Sequence, residues 1–125
     1  MNSPLGAGMS KMHRLGGASL ENLRLKPVEA TLDPPGISVL KGATPAEVAA
    51  QVRAAFPGAT RLHEAAEMIG ITSEGSIRLA GFAIIADPTK RFPNHHRIIH
   101  PEGLAGFTDE NLRRLSAVFE EVREN

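Results

Sequence analysis

The chain has no cysteine. Disulfides, thiol nucleophiles and cysteine-ligated zinc or iron–sulfur clusters are therefore excluded, and any metal would have to be held by histidine and carboxylate. The absence is compatible with a cytoplasmic protein, although exported proteins can lack cysteine too. Net charge of one sign is also missing: 14 Lys and Arg balance 14 Asp and Glu. With no long run of like charge, the whole-molecule field selects neither nucleic acid nor a membrane. The stretch from Lys90 to Arg97 is a local basic exception. No apolar run approaches the roughly 20 residues that a membrane helix needs. Met1 to Gly17 is rich in Gly, Ser and Met without a signal-peptide core, and reads as a flexible tail or a junction to something upstream. At 125 residues and 42% hydrophobic content, the chain supports one core. The expected organisation is a tail over residues 1–18 and a single domain over 19–125.

What the chain does have is a concentration of imidazole. Phe92-Pro93-Asn94-His95-His96-Arg97-Ile98-Ile99-His100-Pro101 places three of the five histidines and an arginine on what reads as one short buried strand. Alternation sends His96, Ile98 and His100 to one face and His95, Arg97 and Ile99 to the other, so both faces carry polar groups that need partners. Imidazole titrates near neutrality, donates and accepts hydrogen bonds and binds metals, which makes this strand the first candidate for a site. The competing structural reading is that these histidines only satisfy hydrogen bonds at a strand end.

The remaining elements follow from local signals. Leu23 and Leu25 alternate with Asn22, Arg24 and Lys26, which predicts a first strand ending at Pro27. Gly36-Ile37-Ser38-Val39-Leu40 predicts a second. Thr44-Pro45-Ala46-Glu47 opens a helix with a cap, a proline at the first helical position and a capping-box glutamate, and Pro57-Gly58 closes it. Thr60 is expected to cap a helix running through Met68 and Ile69 to Gly70, and Ser73 a third one closed by Gly81. Phe82 to Ala86 predicts a buried strand, Asp87-Pro88-Thr89 a turn, and the histidine strand returns beside it. Thr108 caps a last helix in which Leu112, Leu115, Phe119 and Val122 share a face. The predicted order is β-β-α-α-α-β-β-α: an α+β domain with a small, mostly antiparallel sheet and helices inserted between two strand pairs.

If the first two strands neighbour the last two, Arg24, Ser38 and the histidines converge. An arginine grips phosphate bidentately, a hydroxyl orients a sugar, and imidazole serves as base or donor, a set suited to a phosphate-bearing substrate. Gly36-Ile37-Ser38-Val39-Leu40, Leu79 to Asp87, His95-His96-Arg97-Ile98-Ile99-His100-Pro101 and the helix with Glu110, Leu112, Leu115 and Phe119 together resemble the ADP-ribosyltransferase-like toxins delivered by bacterial type VI secretion systems. They also resemble C-terminal toxin domains of Rhs polymorphic proteins. The resemblance spans roughly Leu20 to Val122 and implies an ADP-ribosyltransferase-like fold with NAD as substrate and no metal. It also implies a cognate immunity protein, an intracellular protein or nucleic acid as acceptor, and no membrane partner. The chain would be cytoplasmic in its producer and delivered into the cytoplasm of a target bacterium. By position, the implied catalytic residues are Arg24, Ser38, His95 and His96, with Arg24, Ser38, Arg97 and His100 contacting the nucleotide. His96 stands where the family has tyrosine, Leu40 where it has phenylalanine, and no Gln-x-Glu or Glu-x-Glu pair is present.

Two alternatives use the same residues. A metal-independent ribonuclease toxin needs only acid–base groups and phosphate binding. A non-catalytic binding module, or an immunity partner, would place the histidines in an interface. A metal nuclease of the histidine-asparagine-histidine kind lacks a histidine beyond His100 to complete the ion's coordination. Taken alone, Arg24 and Ser38 read as a surface charge and a strand-facing hydroxyl, His63 beside Glu64 and Glu67 as helix surface, His13 as part of the tail, and Glu102 as a solvated loop residue.

Overall fold

The computed structural model describes residues 10–123, so the first nine residues of the expected tail lie outside the described residues. The strands are β1 (Lys11–Leu15), β2 (Ile37–Gly42), β3 (Met68–Thr72), β4 (Ala83–Ala86), β5 (His95–Ile99) and β6 (Glu120–Arg123). The helices are α1 (Leu20–Leu23), α2 (Pro27–Thr31), α3 (Pro45–Ala55), α4 (Thr60–Ala65), α5 (Glu74–Leu79) and α6 (Asp109–Ser116), with a 3-10 turn at Gly103–Gly106. The strands form one six-stranded sheet in the order β4-β5-β2-β1-β3-β6, every neighbouring pair antiparallel. The fold is α+β, as the sequence pattern implies.

Strand alternation gives the sheet two different faces, and helices cover both. On one, Met12, Ile37, Val39 and Ile98 pack with Leu23 of α1, Ile77 of α5, and Leu112 and Leu115 of α6. On the other, Leu40 and Ile69 pack with Val48, Ala49 and Val52 of α3 and with Ala66, with Leu62 of α4 and Leu15 against them. Each fully buried aliphatic side chain contributes about 1.5–3 kcal/mol of transfer free energy. The two apolar layers therefore clamp the sheet from both sides.

Three of the four predicted helix caps are present; Thr60 is not a cap but the first residue of α4, which follows Ala59 and has no side-chain cap. Thr44, Ser73 and Thr108 accept hydrogen bonds from the backbone N–H of Glu47, Ser76 and Asn111, and so satisfy first-turn donors of α3, α5 and α6. Four predicted elements differ. Residues 11–15, expected in the tail, form β1 in the middle of the sheet, between β2 and β3. The segment around Leu23 and Leu25 is not a strand: Ser19 caps the single turn α1, Arg24 follows it, and Pro27 opens α2.

The helix expected to run from Thr60 to Gly70 ends at Ala65, and Met68–Thr72 is β3. Gly70 is there because β3 passes close under the chain leaving β1. A Cβ at that position would meet the Cβ of Ala18 at 2.9 Å. Finally, α6 stops at Ser116, and Thr72 Oγ1 donates to the Val118 carbonyl at 2.7 Å as the chain turns. Glu120–Arg123 then pairs with β3, which would otherwise expose an edge, and Val122 opposes Ile69.

Candidate functional site

The histidine strand is interior, paired to β4 on one side and β2 on the other. Alternation separates its side chains as the sequence predicts. His95 and Arg97 lie on the face covered by α3 and α4, in register with Leu40 and Ser38; His96 lies on the other face, opposite Val39 and Ala86.

The loop between β4 and β5 folds back toward α3. Asn94 exchanges two side-chain hydrogen bonds with Gln51 of α3, at 2.7 and 2.8 Å, while its Nδ2 also donates to the Lys41 carbonyl of β2. This clamp brings Phe92 to Phe56 at the end of α3, ring centroids 5.7 Å apart. Beneath them is a cavity of about 160 Å³ whose walls include His13, Arg14, Leu15, Ser38, Val39, Leu40, Val52, Phe56, Leu62, Phe92 and His95. The guanidinium carbon of the exposed Arg91 stands 4.7 Å from the centroid of the Phe56 ring, which lines the cavity.

His95 has a defined tautomer. Its Nδ1 lies 2.8 Å from the Asp87 carbonyl oxygen and 3.3 Å from the Asp87 carboxylate, and because a carbonyl can only accept, Nδ1 carries the proton. That leaves Nε2 as the basic atom; it has no hydrogen-bond partner among the described residues and is not sealed from solvent. Arg97 Nε donates to the same Asp87 oxygen at 3.0 Å, and its guanidinium also donates to the Pro34 carbonyl. Asp87 thus orients the imidazole and can balance the charge of an imidazolium, the role of the carboxylate in a catalytic triad.

The other predicted site residues are placed elsewhere. Arg24 does not reach Ser38: it follows α1 and pairs with Asp109 at 3.1 Å on the surface, both side chains about half exposed (51% and 53%). The separation follows from the first strand being β1 and not the segment around Leu23. His96 donates from Nδ1 to the Asn94 carbonyl and does not line the cavity. His100 lies against Phe82 (centroids 4.9 Å apart) and accepts the Glu102 N–H at Nδ1 (3.1 Å), a packing role remote from the cavity lining. Of the six, Ser38 and His95 share the cavity wall, Arg97 supports His95 through Asp87, and Arg24, His96 and His100 stay outside.

Three residues to which the sequence analysis assigned no site role, His13 of the expected tail among them, are buried at the centre. His13 of β1 is fully buried (0% exposed) and donates from Nδ1 to the Leu40 carbonyl at 3.1 Å, while its Nε2 is buried without a partner. Burial outweighs the Leu40 and Lys11 backbone hydrogen bonds and the field of Glu47, and lowers its pKa below 6.5, so the ring is neutral at pH 7. Arg14 and Glu29 form a buried ion pair at 3.1 Å. Arg14 also donates to the Ser38 and Asn22 carbonyls, and Glu29 accepts the N–H groups of Lys26 and Ser38. Where β1 diverges from β2, the pair takes over the backbone groups of Ser38. Burial alone would raise the Glu29 pKa, but the Lys26 and Ser38 N–H groups and Arg14 together bring it below its usual 4.5. A signal for the pair was present in principle: the arginine directly after His13 sits beside Met12 and Leu15, in a stretch short enough to be one strand.

Among the described residues, no three His, Asp or Glu side chains converge as a metal site, and no helix is long and apolar enough to cross a membrane. No protein family, curated protein or solved structure was found to match the chain. The geometry therefore carries the functional reading alone: an α+β domain with an oriented histidine and a hydroxyl on the wall of one small, mostly apolar cavity.

Proposed function

We propose that the domain is an enzymatic toxin of the ADP-ribosyltransferase-like kind that uses NAD as substrate, modifies a macromolecule of a recipient bacterium, and is restrained by an immunity partner. The observation that supports it is the placement of Ser38 and His95 on one cavity wall, with the His95 Nε2 free and its Nδ1 tied to Asp87. Carrying the resemblance onto the observed strands moves the first-strand arginine from Arg24 to Arg14. Arg14 lines the cavity, but its terminal guanidinium nitrogens are tied to Glu29 and two carbonyls, so the phosphates fall to Arg91, which stands over Phe56 of the cavity wall.

In this mechanism, His95 Nε2 takes the proton of the acceptor's attacking group. That group forms a bond to the ribose carbon, and nicotinamide leaves with the electron pair of the broken bond. Asp87 stabilises the resulting imidazolium and the Ser38 hydroxyl orients the ribose. A second reading, the metal-independent ribonuclease, draws on the two imidazoles, His13 and His95, that line the same cavity.

The test is labelled NAD with purified protein and a cell extract. Wild type should transfer label or release nicotinamide; His95→Ala should lose about 10²–10⁴ of that rate. Arg24→Ala should behave as wild type, because its exposed pair with Asp109 is away from the cavity. Cleaved RNA without any NAD turnover would favour the ribonuclease, and an inert, folded wild type would favour a binding module.

A further inference from the structure

We infer that the turn at the tip of the β4–β5 loop is a binding surface for single-stranded nucleic acid, in which Lys90 and Arg91 take phosphates and Phe92 takes a base. It rests on the reading above for the strand's role as acceptor, whereas the binding itself needs no NAD and is measured apart from turnover.

The distribution of charge calls for a polyanion. The chain is neutral overall, yet all 14 acidic residues lie outside two stretches, 48–63 and 88–101. The first carries Arg53 and Arg61, the second Lys90, Arg91 and Arg97. Packing of Phe56 against Phe92, ring centroids 5.7 Å apart, brings the two stretches together. Asp87, which opens the β4–β5 loop, is engaged by His95 and Arg97. Arg53, Arg61, Lys90 and Arg91 have no ion pair among the described residues. Clustered positive charge without a local counter-charge attracts a polyanion even where the net charge is zero.

The shape of the loop narrows the choice to a single strand. The Thr89 N–H donates to the Phe92 carbonyl at 3.0 Å and the Phe92 N–H to Thr89 Oγ1 at 2.9 Å, a closed turn with Lys90 and Arg91 exposed at its tip. The Asn94–Gln51 exchange holds the loop to α3, and Arg91 is seated over the Phe56 ring. This cation is ordered before a phosphate arrives, so less side-chain freedom is lost on binding. Phe92 is only half-buried, which leaves part of its ring open beside the two cations. An acidic protein segment would answer the charges and leave that ring unused. A single strand supplies a phosphate and an unstacked base in every nucleotide, the groups that Lys90-Arg91-Phe92 presents partners for, whereas a duplex keeps its base faces stacked. Arg91 meets phosphate in NAD or in the strand alike; Lys90 and the open part of Phe92 are particular to the strand.

Fluorescence anisotropy of a labelled oligouridylate, titrated with the full chain in the absence of NAD and at several salt concentrations, tests this. Unlabelled oligouridylate, an oligouridylate–oligoadenylate duplex and polyglutamate serve as competitors. The single strand should bind with a dissociation constant on the order of 10⁻⁵ M, and the logarithm of the association constant should fall with the logarithm of salt at a slope of about −1.4, about 0.7 for each of two phosphates. Lys90→Ala and Arg91→Ala should each remove about 0.7 from that slope. Phe92→Leu keeps an apolar side chain on the cavity wall; it should weaken binding about tenfold and leave the slope unchanged, because a base–aromatic stack is lost and no charge. Lys90 is exposed at the tip of the turn, so its variant reads the surface in a folded protein whatever Phe92→Leu does to the wall. Failure of folded wild type to bind the single strand overturns the inference, as does competition by polyglutamate or duplex equal to that of oligouridylate; polyglutamate bound in preference would point to an acidic protein. So does a Lys90→Ala variant with unchanged affinity and slope. Strand binding without NAD turnover keeps the inference and removes the transferase.

Discussion

Replacing Glu29 by alanine should be among the most damaging single changes in this domain. Both members of the Arg14–Glu29 pair are only 8% exposed, and the carboxylate accepts from three donors: Arg14, the Lys26 N–H and the Ser38 N–H. Alanine strands a buried guanidinium and two backbone N–H groups, which sets the expected loss at about 3–5 kcal/mol, the cost of breaking a buried pair by removing one partner. Against a total stability of about 5–15 kcal/mol, that is a large fraction. With a urea slope near 2 kcal/mol per molar, the midpoint should fall by about 2 M. Glutamine does not rescue it fully, because its single carbonyl oxygen cannot serve both sets of donors, those on Oε1 and those on Oε2. Urea denaturation of wild type, Glu29→Ala, Arg14→Ala and the double variant measures each cost and the coupling between them. A loss below about 1 kcal/mol in Glu29→Ala would refute the reasoning, since that is the range of an exposed pair.

Two further outcomes follow from the same geometry. Acid should weaken the fold in two stages: His13 has a pKa lowered from 6.5, so the unfolded chain takes up its proton first and stability falls as pH drops through that value; Glu29, lowered from 4.5, adds a second loss below it. Urea midpoints measured between pH 7 and pH 3 check this, with His13→Phe expected to remove the upper stage and a flat profile from pH 7 to pH 5 contradicting it. Gly106→Ala should be destabilising, because the new Cβ would meet the His100 Nδ1 at 1.9 Å and push the imidazole off Phe82; a thermal midpoint equal to wild type would show that the turn yields freely.

Local signals were the legible part of the fold. Thr44, Ser73 and Thr108 each form their cap within three residues, so no distant contact was needed to read the starts of α3, α5 and α6. β2, β4 and β5 have enough β-branched or continuous apolar character to be read directly. The strand β1 was not legible, because Lys11-Met12-His13-Arg14-Leu15 does not alternate apolar with polar. His13 and Arg14 are buried on the strength of the Leu40 carbonyl and Glu29, partners 27 and 15 residues away. Leu23 and Leu25 were misleading for the converse reason: their spacing mimics a strand, while the Ser19 cap and Pro27 decide for helix. Phe119 and Val122 continue a helical spacing by coincidence, and the open edge of β3 draws that segment into the sheet. In the site, Ser38 and His95 followed from strand neighbours, whereas Arg24 depended on a strand that does not exist.

The placement of β1 also governs the order in which the sheet can assemble. Its partners are β2 on one side and β3 on the other, and β2 carries the β5–β4 wing while β3 carries β6. Each wing can associate locally, but the backbone hydrogen bonds of the sheet join the two only through a strand built from residues 11–15. Amides of β1 should therefore be among the last to exchange with solvent, and those of β4 at the sheet edge among the first, so the wing that bears His95 can breathe without unlocking the whole molecule. A chain trimmed to begin at Ser19 would keep every residue of both wings and lose the strand that makes them one sheet.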